Sequence, residues 1–358
     1  MAARVSRRDF LAAFGLSFLS DIAFNRLAEA ADKDASLFAS AFMDKDGRFG
    51  TAILDQDGNI LSTYPLPGRG HGMAAATAST WLVTFARRPG NFALAIDISK
   101  RHDPVLFKSP PHTHFYGHGV FSRDGRLLFA TENRFESGRG LIGIYDATDG
   151  YGRIGEISSH GIGPHEIAMM PDGHTLCIAN GGILTHPDTG RAKLNLHEMQ
   201  SSIAFMDSRH GDVIARFDVP ESIRRLSLRH MAVDHKMTVW LGGQYEGDES
   251  ELAPLIATAD METGLEFPNI APIRELGLAN YVGSVARHGD GRKIAFSSPR
   301  SGRLIVVDAD KGIISKAGMI PNVCGVAASK DGFFATSHSG EANQRKTEVH
   351  WDNHVVNA

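Results

Sequence analysis

Short apolar runs separated by tight turns recur along the whole chain, and each run is too brief for an amphipathic helix. The stretch FYGHGVFSRDGRLLFATEN, Phe115 to Asn133, shows the unit: a strand, an Asp-Gly turn and a second strand. GIGPHEIAMMPDGHTLCIAN, Gly161 to Asn180, repeats it one module later. Further copies open at Gly70 (GHGMAAATASTWLVTFARR), Arg229 (RHMAVDHKMTVWLGGQ), Gly283 (GSVARHGDGRKIAFSSPR) and Asn322 (NVCGVAASKDGFFATSHSG). Asp-Gly pairs at Asp124, Asp172, Asp290 and Asp331 supply tight turns, because glycine accepts the positive φ such turns need. Outer strands follow in places, as in FALAIDIS then PVLFKS, and GLIGIYDAT then GRIGEIS.

Four short antiparallel strands per unit of roughly 40 to 50 residues predict an all-β fold, a β-propeller. A sandwich leaves the long-range self-similarity unexplained, and no alternation with helices suggests βαβ units. Six strand entrances are explicit. A further set, LFASAFMD, RFGTAILDQDG and ILSTYPLP, lies between Leu37 and Pro67, while the last module is short of strands. The expected closure therefore joins N-terminal strands to C-terminal ones, with seven blades favoured over six.

The modules also share a chemical feature. His71, His118 and His165 stand 47 residues apart at successive entrances, and His230 follows 65 residues later. The remaining entrances carry Ser284 and Cys324. In a propeller the first strand of each blade lines the central channel and the second returns, so the start of one and the end of the other share a face. The second-strand ends offer Arg88, Glu132, Asn133, Asn180, Gln244, Arg300 and His338 as ligand-binding groups. Several imidazoles converging on one point suit a transition metal, and a thiolate from Cys324 would favour copper. Glu132, Glu166 and Asn180 are expected as acceptors that orient the rings. The same face also suits an anionic ligand, and structural packing of each histidine against its neighbouring blade is the competing expectation. His350 and His354, in VHWDNH near the closure, are given less weight, and Trp351 reads as a core anchor.

Composition narrows the classes. Of 358 residues 42% are hydrophobic and 22% charged, ordinary for a globular protein, and the net charge is -4. No basic patch interleaved with aromatics points to nucleic acid. Cys177 and Cys324 are too few for a disulfide framework, and no apolar run is long enough to span a bilayer. The chain lacks Cys-x-x-Cys-His, which argues against covalent haem, and lacks a phosphate-binding glycine loop, which argues against a nucleotide.

The N-terminus, SRRDFLAAFGLSFLSDIAF, resembles the bacterial twin-arginine export motif at Ser6-Arg7-Arg8-x-Phe10-Leu11, and Ala28-Glu29-Ala30 supplies a small-x-small cleavage site. Residues 1–30 are thus expected as a signal peptide cleaved after Ala30, with 31–358 a single propeller in the periplasm. That leader, the blade pattern and the terminal WDNH resemble, across the whole chain, an uncharacterised bacterial family of exported propellers. The family is similar to the YVTN-repeat and nitrous-oxide-reductase-type propellers. The resemblance implies imelysin-type and di-haem periplasmic proteins as partners, passage through the twin-arginine translocase, and a role in iron or copper handling; it brings no catalytic residues with it. The expectation is a copper or iron ion, ahead of zinc, held by His71, His118, His165, His230 and Cys324. A metal-dependent oxidoreductase or lactonase-type hydrolase, and an interaction scaffold without ligand, are the alternatives.

Overall fold

The computed structural model describes residues 36–190 and 192–358, apart from the side chains of residues 273 and 274. The expected signal peptide, residues 1–30, lies outside the described residues. Seven four-stranded antiparallel sheets succeed one another. The innermost strands of blades 1 to 6 are Gly70–Ala75, Thr113–Phe121, Pro164–Met169, Leu226–Val233, Ser284–Arg287 and Val323–Ser329. The seven-bladed propeller is therefore confirmed, and six blades are excluded. Among the described residues no helix is long and apolar enough to cross a membrane.

The expected turn chemistry is present. Gly125 sits at φ +71°, in the left-handed region that a side chain disfavours. Its neighbour Asp124 accepts a hydrogen bond from the Arg126 amide at 3.1 Å, closing the Phe115–Asn133 hairpin.

Blade 7 is assembled from both ends of the described chain. Phe38–Asp44, Phe49–Leu54 and Ile60–Leu66 form its outer strands, and Val349–Asn357 inserts as the innermost one. The C-terminal strand pairs antiparallel with Phe38–Asp44, from Phe38 opposite Asn357 to Asp44 opposite Val349. Trp351, fully buried, packs there with Phe38, Leu54 and Phe334. The remaining core is distributed in the same way, as apolar clusters between neighbouring blades. Phe85, Phe107, Phe115 and Tyr145 fill the seam between blades 1 and 2. Each blade is thus held by its neighbours, and the ring is held by the C-terminal strand.

Candidate functional site

The entrances of the inner strands are irregular, and the irregularity carries the chemistry. Pairing skips between Gly70 and Met73 in blade 1, between Phe115 and Gly119 in blade 2, and between Pro164 and Glu166 in blade 3. It skips again between Leu228 and His230 in blade 4, and in blade 7 where Asp352, Asn353 and His354 lie across from Ala41 alone. A β-bulge bends its strand and re-aims its side chains. Here the bulges turn His71, His118, His165, His230 and His354 toward one another. Blade 5 pairs regularly from Ser284 to Arg287 and brings no imidazole.

The five rings form one cluster. His354 lies 4.6 to 4.7 Å, centroid to centroid, from His71, His118 and His230. His71–His118, His118–His165 and His165–His230 are 5.1, 5.2 and 4.7 Å apart. Among the described residues two overlapping triads bring their ring nitrogens within 4.8 Å of one another: His71–His118–His354 and His118–His165–His230. With metal–imidazole bonds of about 2.0–2.1 Å, three nitrogens on one ion stand about 3.4–3.6 Å apart, so a triad must draw in by up to about 1 Å to close on a metal.

Two rings are oriented by carboxylates. The His71 Nδ1–H donates to Asp352 at 3.1 Å, and His230 Nδ1 shares a hydrogen bond with Glu166 at 2.9 Å. The Asp352 carboxylate stays ionised and only accepts, so His71 carries its proton on Nδ1 and keeps a lone pair on Nε2. Nε2 of His118 and His354 and Nδ1 of His165 are buried without a hydrogen-bond partner among the described residues. Removal from water holds all five imidazoles neutral: His71 falls to about 4 and His118 and His230 to about 3, with His165 and His354 also well below their ordinary value. For Asp352, burial works toward protonation, but the His71 hydrogen bond and the charges of Arg87 and Arg69 outweigh it and keep the carboxylate ionised. Glu166, partly exposed at its side chain, is pushed up to about 7 by removal from water.

Small residues make room for the rings. A Cβ on Gly72 would meet the Gly117 carbonyl oxygen at 2.4 Å, and one on Gly117 would meet the His71 ring at 2.7 Å. Gly117 also holds φ +108°, which L side chains rarely adopt. Gly117→Ala is expected to cost about 1–3 kcal/mol. Urea unfolding measures it, and an unchanged midpoint would show that the ring seat tolerates a side chain.

A cavity of about 210 Å³ opens beside the rings. Of the residues expected at the channel mouth, Arg88, Gln244 and Arg300 line it with His71, His165 and His230. His118 joins the cluster through its neighbours. The others are elsewhere. Cys324 is fully buried in the apolar cluster around Trp351; its sulfur faces Thr336 and the Trp351 carbonyl, and burial pushes the thiol up to about 12. It therefore stands outside the imidazole cluster and contributes no thiolate. Glu132 accepts from Tyr145 and from Arg153 at 2.8 Å inside blade 2. Asn133 bonds His114 and the Thr185 carbonyl, Asn180 donates to the Ser159 carbonyl, and His338 donates to the Trp351 carbonyl at 2.6 Å. These four tie strands and blades together instead of lining the cavity. Of the three acceptors expected behind the rings, Glu166 alone is in place.

Sequence reasoning missed His354, Asp352, Arg229, Tyr281 and Asn353. The signal for the first two was the closure itself: three outer strands from the N-terminus require an inner strand from the C-terminus, and every inner strand faces the channel.

A model of the family described as "Protein of unknown function (DUF1513)" matches residues 64–358. The chain belongs to that family. The DUF1513 match takes in all five histidines and the closing strand. No curated protein matches this chain. Among solved structures it is similar to Kuenenia stuttgartiensis hydrazine synthase, with a TM-score of 0.62 at 14% identity, over 83% of this chain and 91% of that one. It is also similar to the Myceliophteria thermophila Cps50 (Swd1) β-propeller domain, with a TM-score of 0.57 at 12% identity, over 83% and 93%. At such identities the likeness is one of fold alone.

Proposed function

We propose that this DUF1513 protein is an exported propeller that binds a copper or iron ion through its channel-mouth imidazoles and serves periplasmic iron or copper handling. The observation that carries this reading is the pair of carboxylate–imidazole contacts, Asp352–His71 and Glu166–His230, within a cluster of five neutral rings. Structural packing alone gives no reason to set a carboxyl group behind each of two rings while other ring nitrogens of the cluster lie buried without partners, whereas metal-binding histidines are oriented in this way. With Cys324 withdrawn, the donor set is all nitrogen, and the argument for copper moves from thiolate softness to imidazole affinity. Divalent copper heads the series for such ligands, and iron and zinc also accept imidazole. The twin-arginine motif supports export of the folded, loaded protein. Imelysin-type and di-haem periplasmic proteins are the partners this reading favours.

His118 belongs to both triads, so His118→Ala should abolish loading, while His165→Ala leaves His71–His118–His354 intact and should retain part of it. Glu166→Gln should weaken affinity about 10–100-fold by releasing the His230 ring. Elemental mass spectrometry on full-length protein folded with copper or iron supplied measures all three. Wild-type protein with metal at background would overturn the reading.

A further inference from the structure

The lining that the cavity adds to the imidazoles is basic. Arg87, Arg88, Arg229 and Arg300 line it, and among the described residues no carboxylate does. The nearest acids are already engaged. Asp352 accepts from His71, Arg69 and Arg87, and Glu246 is shared between Lys193 and Arg229. Arg229 decides the matter. The residue is 6% exposed and Glu246 meets one edge of its guanidinium at 3.0 Å, while its Nε is buried without a hydrogen-bond partner among the described residues. A buried guanidinium with an open donor is costly unless an acceptor arrives. Arg300 lies over the Tyr281 ring at 5.2 Å, and Tyr281 in turn accepts from Asn353 at 2.8 Å, so the rim beside Arg229 is held in place.

We infer that the cavity binds a small, multiply charged oxyanion between the arginine wall and the imidazole-bound ion. The inference rests on the metal reading only for its second contact; the first needs the arginines alone. Guanidinium forks match carboxylate and phosphate oxygens in pairs, so polycarboxylates and inorganic phosphate share the required chemistry. A cavity of about 210 Å³ holds a molecule of the size of oxalate or citrate. An oxygen on the guanidinium of Arg229 leaves the anion's other end toward the His71 and His230 rings that line the same cavity. The ligand that reaches this site is then a metal chelate, or an anion that completes the ion's coordination.

Isothermal titration of oxalate, citrate and phosphate into full-length protein tests this at constant ionic strength, in metal-free and metal-loaded forms. At least one anion should bind the metal-free protein, bind the loaded form more tightly, and lose about tenfold or more in affinity in Arg300→Gln and in Arg88→Gln, with metal content retained. Arg300 is on the surface, and thermal melting confirms that its variant folds. Carboxylates binding while phosphate does not, or the reverse, identifies the source. No anion binding in either form, with metal loading intact, overturns the inference and leaves the metal reading standing. Arginine-dependent anion binding in a protein that never loads metal sustains the anion site and overturns the metal reading instead.

Discussion

Metal-free protein should lose stability steeply as pH falls from about 6.5 to about 4. Each of the five clustered imidazoles has a folded-state pKa below its unfolded value: about 4 for His71, about 3 for His118 and His230, and well below ordinary for His165 and His354. Below pH 6.5 the unfolded chain binds these protons and the folded chain does not, so protonation pulls the equilibrium toward unfolding. Each such group contributes a slope of about 1.4 kcal/mol per pH unit. Glu166 opposes the trend. Its folded pKa is raised to about 7, so between about 4.5 and 7 the folded state holds a proton that the unfolded state has released, and this group gains stability as pH falls. The net difference is close to four protons, a slope of about 5 kcal/mol per pH unit, and a domain with about 5–15 kcal/mol to lose should unfold within one to three units. Asp352 adds to the loss only below its ordinary range, since its folded pKa is depressed. Urea unfolding in the presence of chelator, followed by circular dichroism at pH 7.5, 6.5, 5.5 and 4.5, measures the slope. His118→Gln should remove about one proton from it. A midpoint that stays constant from pH 7 to pH 5 would mean that the rings are solvated and not a desolvated cluster.

The histidines responsible were legible in the sequence to different degrees, for reasons that lie in the strands. His71, His118, His165 and His230 were visible because the repeat carries each at the same point, and the repeat survives in the hydrophobic pattern. Cys324 occupies the equivalent entrance, and its strand skips register between Val323 and Val326 as the His71 strand does between Gly70 and Met73, yet its sulfur packs against Thr336 and the Trp351 carbonyl. Alignment alone placed the thiol among the imidazoles, and the apolar cluster around Trp351 that takes it up is completed by the closing strand. Glu132, Asn133 and Asn180 failed similarly: the ends of second strands share the channel-mouth face, but these side chains point into the blade or toward its neighbour. His354 escaped because its strand has no following turn and partner to identify it as an inner strand. Seven blades were legible because Leu37 to Pro67 contains three strands and no entrance, which leaves one inner strand to be supplied from elsewhere.

That supplied strand carries the second large effect. Truncation after Glu348 should abolish cooperative folding, although it removes only Val349 to Ala358. The deletion strips the inner edge of Phe38–Asp44 along its whole length, and it opens the ring between Val323–Ser329 and Gly70–Ala75, both of which pack against the lost strand. Trp351 leaves with it, and deleting a buried large aromatic side chain alone costs about 3–5 kcal/mol. Asp352, the carboxylate that Arg69, Arg87 and His71 share, leaves as well, so two guanidinium groups lose their common acceptor at 2.5 and 3.4 Å. Ser40 Oγ loses the His354 carbonyl it donates to at 2.7 Å. These losses fall on one seam and exceed what a domain of ordinary stability can absorb. Adding back a peptide of residues 348–358 should restore part of the structure, because an exposed strand edge accepts an added strand through its main-chain hydrogen bonds. A circular permutant beginning at residue 348, with residue 358 linked to residue 36, should fold fully: Ala358 N–H already donates to the Leu37 carbonyl at 2.9 Å, so the link replaces a hydrogen-bonded pair with a hairpin. Thermal melting and metal content, compared across the three forms, separate loss of the strand from loss of connectivity. A truncated chain that melts cooperatively at the wild-type temperature would show that six blades and three strands suffice, and that the C-terminal strand serves only to bring His354 to the channel.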